Sequence, residues 1–172
     1  RDDCVQFLAR ICSIPALGPE NAGNGEMAKY IYVKDEVLKL KPDEIIELPA
    51  PDDRVPDGVR PNLLAIFHGE DTSSTLWILS HIDVVPVGEL GLWDYDPFQP
   101  HVQEDYLYGR GVEDNGQALA ASVFAVRAVK EAGRFGRNIG LALVSDEENG
   151  SLYGLDYVLR TRPDLFRPND LI

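Results

Sequence analysis

The residues of this sequence best suited to chemistry are a histidine and several acids that follow apolar runs. His81 and Asp83 stand one residue apart, directly after the run "LWILS". Side chains two apart in a strand project to the same side, so Asp83 can accept one imidazole N–H while the other nitrogen of His81 binds a metal. A solvated strand end is the simple alternative, and the pair alone does not decide between them.

A second candidate is Asp114, in the stretch "LYGRGVEDNGQALAA" just before an alanine-rich segment with helical character. A carboxylate at this point is the ordinary N-cap of a helix, because it accepts N–H groups that have no helical partner and stabilises the helix by roughly 1 kcal/mol. A capping aspartate can still present its other oxygen to a metal. Both interpretations stay open at this stage.

Three adjacent acids, Asp146, Glu147 and Glu148, crowd the end of the apolar run "LALVS". Neighbouring carboxylates repel one another unless they are exposed or neutralised, so an exposed acidic loop is again the alternative. A cation nearby would remove the repulsion. One carboxylate could then bind the metal while its neighbour moves protons.

The three groups of candidate residues are stronger evidence for a functional site in combination than any one of them alone. Ligands of open α/β sheets bind outside the carboxyl ends of the strands, so polar residues that recur at such ends predict one common site. A histidine combined with carboxylates from separate segments is a ligand set suited to zinc or to a pair of such ions.

The elements that must position these residues follow from hydrophobic periodicity and from breaker residues. The predicted helices are "DDCVQFLARICSI", "EMAKYIYVKDEVLKL", "NGQALAASVFAVRAVKEAG" and "LYGLDYVLRTRPDLF". The predicted strands are "DEIIELPAPD", "NLLAIFHG", "TLWILSHI", "DYLYGRG" and "NIGLALVSDEENG". The short turn "EDTSS" predicts that the second and third of these strands pair as a hairpin or as sheet neighbours.

Near-continuous apolar strands alternating with helices predict an α/β domain in which helices cover both faces of a sheet. We therefore expect a three-layer helix–sheet–helix architecture with a mixed, mostly parallel sheet. The Pro-rich and Asp-rich stretch through Pro61 reads as a surface loop.

Composition limits the classes of partner. The 172 residues include 16 basic and 29 acidic side chains, a formal charge of −13, which argues against nucleic acid and against an anionic membrane as partners. The apolar runs are shorter than the roughly 20 residues that span a bilayer. Cys4 and Cys12 lack C-x-x-C spacing, and we interpret both as core thiols. We expect a soluble, cytoplasmic protein.

Four motifs resemble one known family in both type and order. They are "SHIDVVPVG", the W-x-x-x-P-F pattern from Trp93 to Phe98, "LYGRGVED", and "DEENGS" followed by "GLDYVL". The sequence is similar to the zinc peptidases that include aminoacylase, acetylornithine deacetylase, succinyl-diaminopimelate desuccinylase, carnosinase-like dipeptidases and glutamate carboxypeptidase. This resemblance implies a truncated zinc-exopeptidase-like fold, with residues 1–172 as the N-terminal portion of the catalytic domain and without the lid or dimerisation domain.

The resemblance also implies roles for the candidate residues. His81 would bind one zinc ion, Asp114 would bridge two, and Glu148 would be a further ligand. The catalytic residues would be Glu147, as general base, and Asp83, in support of His81. The implied cofactor is two Zn²⁺ ions per complete site, with Co²⁺ or Mn²⁺ as alternatives.

The implied reaction is cleavage of an amide bond in a small N-acyl amino acid or short peptide, by a deacylase, desuccinylase or exopeptidase. The complete chain would form a homodimer through the lid domain, and the fragment alone would be inactive. The peptide bond that follows Asp114 is expected to be cis.

Two features depart from the family pattern. Asn115-Gly116-Gln117 replaces the usual continuation of D-x-K-G, which leaves the family's lysine unmatched. The remaining acidic ligand is expected a few residues past Ile172, because Asp170 lies slightly too early. A further histidine ligand is expected later still.

Two rival functions follow from the same residues. A catalytically silent relative that binds only a metal or a partner has little reason to keep the metal-free acid Glu147 beside a metal-binding one, so the sequence favours an enzyme. A nucleotide-binding domain needs a glycine-rich loop after a first strand, whereas "GPENAGNGE" follows a predicted helix.

Overall fold

A mixed β-sheet flanked by helices organises the protein, whose computed structural model describes residues 2–166. The described α-helices are α1 (Asp2–Cys12), α2 (Met27–Lys39), α3 (Ala118–Ala132) and α4 (Leu155–Thr161). The described strands are β1 (Glu44–Glu47), β2 (Ala50–Pro51), β3 (Val59–Arg60), β4 (Leu63–Phe67), β5 (Asp71–His81), β6 (His101–Gln103), β7 (Tyr106–Tyr108) and β8 (Arg137–Val144). The predicted strand opening in "RPNDLI", with Asp170, lies outside the described residues.

The main sheet has the order β1-β4-β8-β5 over the described chain, while β2-β3 and β6-β7 form two small separate sheets. Strand β8 is antiparallel to β4 and parallel to β5, and β1 is antiparallel to β4. The predicted α/β architecture with a mixed sheet is confirmed. Two of the three main-sheet pairs in residues 2–166 are antiparallel, so this part of the sheet is not mostly parallel.

The predicted pairing of the two strands around "EDTSS" is wrong, because β8 lies between β4 and β5. A short turn favours a hairpin locally, but β8 is almost entirely buried along its length. Its central place lets it pair along both edges and pack on both faces.

The core has one layer on each face of the sheet. Alternate residues of β4 point to opposite faces, with Leu63 and Phe67 facing α1, α2 and α3 and Leu64 facing the α4 side. On the α4 side, Trp77 of β5 lies opposite Gly140 of β8. A Cβ added at Gly140 would fall 2.6 Å from the Cδ2 atom of Trp77, so only glycine leaves room for this ring.

The parallel pairing of β5 and β8 positions the candidate site. His81 and Val144 are register partners at the carboxyl ends of the two strands, so the residues that follow each strand emerge side by side. Asp114 does not follow a strand of this sheet, since it lies between the separate β6-β7 hairpin and α3. None of the helices in residues 2–166 is long and apolar enough to cross a membrane.

Candidate metal centre

His81 is the centre of the polar cluster at this edge of the sheet. Its side chain is 6% exposed, and its Nε2 atom lies 3.0 Å from Oδ1 of Asp114 and 3.7 Å from Oε2 of Glu147. Its Nδ1 atom lies 3.2 Å from the carbonyl oxygen of Asp83 and 3.4 Å from Oδ1 of that residue. One ring nitrogen is therefore oriented by Asp83 while the other faces the remaining acids.

Asp83 joins the ends of the two parallel strands. Its carboxylate, almost fully buried, accepts the backbone N–H of Glu147 at 3.2 Å and that of Glu148 at 3.1 Å. Burial by itself would raise the pKa of Asp83, but hydrogen bonds from His81 and from these N–H groups lower it below its usual value. The group is a buried anion that holds both the imidazole and the acidic turn.

Asp114 lies in the irregular segment Val112–Gln117, where its own backbone and that of Asn115 are not helical. The peptide bond between these two residues is cis, as expected. The N-cap of α3 is Gln117, so the interpretation of Asp114 as the cap of that helix is wrong. Its side chain, 70% exposed, instead turns towards His81.

Three of the predicted ligands come together. His81, Asp114 and Glu148 each offer one ligand atom, and these atoms all lie within 4.8 Å of one another. Imidazole nitrogen and carboxylate oxygen are donor types that zinc accepts in proteins. Burial and the negative charge of Asp114 raise the pKa of Glu148, a repulsion that a cation would relieve. The chemistry of this set therefore fits a metal ion.

The surroundings of His81 favour its protonated form when no metal is bound. Burial by itself would lower its pKa, but the hydrogen bond and charge of Asp83, with contributions from Glu147 and Asp114, raise it to about 9. The imidazolium is the cation that balances the surrounding carboxylates. A metal ion would have to displace the proton on Nε2.

The sequence matches the family model of the peptidase family M20/M25/M40 over residues 77–170, more than half of the 172 residues. The chain belongs to this family. An uncharacterised metallohydrolase of Methanococcus maripaludis is 34% identical over 99% of this chain and 42% of its own length. A succinyl-diaminopimelate desuccinylase of Wolbachia pipientis is 33% identical over 91% of this chain and 36% of its own length.

Among solved structures, an M20 family metallo-carboxypeptidase of Sulfolobus solfataricus superposes with a TM-score of 0.78 and 26% identity. The match covers 96% of this chain and 36% of the carboxypeptidase. The chain thus spans roughly two fifths of the length of these relatives. The recognition of the family from its motifs is confirmed, and it is a family of metallohydrolases and peptidases.

The departure of this M20/M25/M40 chain from D-x-K-G has a packing reason. A Cβ added at Gly116 would lie 2.8 Å from Cδ1 of Leu8 and 3.0 Å from Sγ of Cys12. The interior next to Asp114 therefore has no room for a lysine at position 116.

A cation does reach this region from another element, because Lys29 of α2 is buried and lines the same small space as His81 and Asp83. Burial lowers the pKa of Lys29 to about 8, although Cys12, Asp83 and Glu26 oppose the shift. The sequence does not point to this residue, since a lysine on an amphipathic helix is ordinarily a solvated group.

The predicted surface loop through Pro61 is partly interior. Asp52, Val55 and Arg60 are each at most 5% exposed. Arg60 forms ion pairs with several acids, including Asp146 at the start of the acidic turn. A buried arginine gives no local sequence signal, because its partners come from distant parts of the chain.

Proposed function

We propose that this chain supplies the N-terminal part of the active site of a metal-dependent amidohydrolase. The reaction is hydrolysis of an amide bond in a small N-acyl amino acid or short peptide. The observation that carries the proposal is the grouping of His81, Asp114 and Glu148 within 4.8 Å, with the carboxylate of Glu147, which is not one of the three, 3.7 Å from His81. A metal-binding set next to an acid outside that set is the arrangement a metallohydrolase needs.

In this proposal, His81, Asp114 and Glu148 hold the metal, and zinc is the expected ion, two per complete site. When bound, zinc polarises the scissile carbonyl and lowers the pKa of a water molecule towards about 7. The three side chains supply one imidazole nitrogen and carboxylate oxygens from separate parts of the chain. Glu148 is half-buried near other acids, so its carboxylate favours a positively charged partner.

Glu147 is the general base of the proposed reaction. Its side chain is 52% exposed and its Oε2 atom lies 3.7 Å from Nε2 of His81, so the carboxylate stands at the mouth of the cluster. Glu147 takes the proton of the attacking water and passes it to the leaving amine. Asp83 acts behind the site, where it orients His81 and holds the backbone N–H groups of Glu147 and Glu148.

The names of two relatives support this substrate class, since one is a desuccinylase and another a metallo-carboxypeptidase. Their matches cover 36% of each relative, so the choice between acyl-amino acids and peptides is left to experiment. Homodimerisation and a cytoplasmic location stay predictions from the sequence.

A catalytically silent relative that binds a metal or a partner is the second candidate. The position of Glu147 favours the enzyme, because its carboxylate faces the cluster from outside the proposed ligand set. A catalytically silent protein would not require a carboxylate at position 147.

The test uses the complete natural chain that contains this sequence. Bound metal is measured by mass spectrometry of the purified protein, and hydrolysis is assayed on a panel of N-acyl amino acids and dipeptides, before and after chelation and after return of Zn²⁺. Metal-dependent release of an amine supports the proposal. Stoichiometric metal without hydrolysis of any panel member supports the silent relative, and absence of bound metal contradicts both.

A further inference from the structure

Arg60 is a fully buried arginine that lies outside the proposed metal-binding set. Its guanidinium makes a two-pronged ion pair with Glu26, with Nε 2.7 Å from Oε2 and Nη2 in contact with Oε1. Both side chains have a relative exposure of 0%. Such fork-shaped pairing fixes the plane of the guanidinium.

The same guanidinium faces Asp146. Its Nη2 atom lies 3.4 Å from Oδ1 of Asp146, and within the described chain this oxygen is buried and has no hydrogen-bond partner. The other carboxylate oxygen, Oδ2, accepts the backbone N–H of Tyr153 at 3.0 Å. Since a buried carboxylate is costly without a charged partner, the nearby guanidinium of Arg60 offsets part of the cost of burying Asp146.

Asp146 in turn determines the path of the acidic turn. Its backbone has a φ of 63°, a left-handed conformation that aspartate adopts more readily than most residues. Its carbonyl oxygen accepts the N–H of Ser151 at 2.7 Å. The next two residues are Glu147 and Glu148, so a rotation at Asp146 would displace both of their carboxylates.

We propose that Arg60 is a positioning residue of the active site, which acts through Asp146 to hold Glu147 and Glu148 in place. This inference rests on the proposed function for the roles of the two glutamates. A purely structural role of Arg60, as the partner of Glu26 alone, is the rival explanation.

The test uses two variants in the complete natural chain. Arg60→Lys keeps the charge but loses the fork that serves Glu26 and Asp146 together. Asp146→Asn keeps the size of the side chain and an acceptor for Tyr153, but removes the charge that faces Arg60. The matched control is Arg54→Lys, because Arg54 binds two other acids of the same cluster, Asp52 at 2.8 Å and Glu20 at 2.6 Å, and has no ion pair with Asp146 in the described part of the chain.

The first readout is independent of activity. Hydrogen–deuterium exchange measures how well the backbone N–H groups of Glu147 and Glu148 are protected from solvent. Both donate hydrogen bonds to the carboxylate of Asp83 in this structure. We expect both amides to lose protection in Arg60→Lys and in Asp146→Asn, and to keep it in Arg54→Lys. Unchanged protection in Asp146→Asn overturns the proposal even if Arg60→Lys fails to fold.

The second readout is kcat per metal-loaded molecule. We expect a fall of roughly 10- to 100-fold in both test variants, with KM changed less than kcat, and no change in Arg54→Lys. A loss of activity that only follows the folded fraction identifies a structural role and contradicts the proposal. If the wild type hydrolyses nothing while the exchange result holds, the proposed function fails and the link from Arg60 to the acidic turn stands.

Discussion

The Nε2 atom of His81 lies 3.0 Å from Oδ1 of Asp114, although the two residues are 33 positions apart in the chain. His81 ends strand β5, Asp114 precedes α3, and Glu148 follows β8. The connection from β5 through α3 to β8 brings these three points to one edge of the sheet. The candidate metal site therefore depends on the parallel pairing of β5 and β8.

The role of Asp83 is tested by Asp83→Asn. An amide accepts fewer hydrogen bonds than a carboxylate and carries no charge, so His81 and the turn at Glu147 lose their shared anchor. We expect metal affinity to fall roughly 10- to 100-fold, measured by competition with a chromogenic chelator. Asp94→Asn, at an exposed acid, is the control, and equal affinities in the two variants would show that Asp83 has no such role.

The proton on His81 makes metal binding dependent on pH. The pKa of His81 is raised from 6.5 to about 9, so the imidazole is protonated below that value and must release a proton to bind a metal. Apparent affinity should therefore increase with pH, by up to about tenfold per unit below pH 9.

Calorimetry in two buffers of different ionisation enthalpy measures the released proton directly. We expect close to one proton per metal from His81 at neutral pH. A binding heat that is the same in both buffers would contradict this protonation state.

The contact between Trp77 and Gly140 predicts that adding one methyl group at position 140 lowers the unfolding free energy. Gly140→Ala would place a Cβ against the Trp77 ring at the centre of the sheet, and overpacking of this kind costs about 1–3 kcal/mol of unfolding free energy. Gly136→Ala is the matched control, since a Cβ there has open space. Urea unfolding of both variants makes the comparison, and equal midpoints would refute the packing argument.

Cys12 should be an inert thiol. Both cysteines are free, and burial raises the pKa of Cys12 to about 11 although nearby Lys29 opposes the shift. At pH 8 in the folded protein, we expect iodoacetamide to modify Cys12 far more slowly than in the denatured protein, because little thiolate is present. Peptide mass spectrometry measures both rates, and similar values would contradict the burial of this thiol.

Local patterns predicted the elements that carry the site. The run before His81 and the run before Asp146 have the length and apolar character of buried strands. The first lies in β5 and the second in β8. The glycine that ends the predicted helix "NGQALAASVFAVRAVKEAG", Gly133, takes the left-handed conformation at the end of α3.

Strand order and contacts between residues distant in sequence could not be predicted from local patterns. The order of β4, β8 and β5 depends on which strand is best buried in the centre. The turn between β4 and β5 gives no information about this order. Arg60 looked like a surface group because its partners are scattered along the sequence. Arg110 makes a similar contact with a residue distant in sequence, since its guanidinium carbon lies 5.3 Å from the Trp93 ring centre. Its Nε atom has no hydrogen-bond partner among the described residues.

The proposed mechanism depends most on Glu147, which stands outside the metal-binding set. The decisive measurement is kcat of Glu147→Gln against wild type in the complete chain, at equal metal content. This mechanism predicts that the variant binds metal as the wild type does and loses roughly 10²- to 10⁴-fold in kcat, the usual contribution of a general base. Full activity of the metal-loaded variant would contradict it.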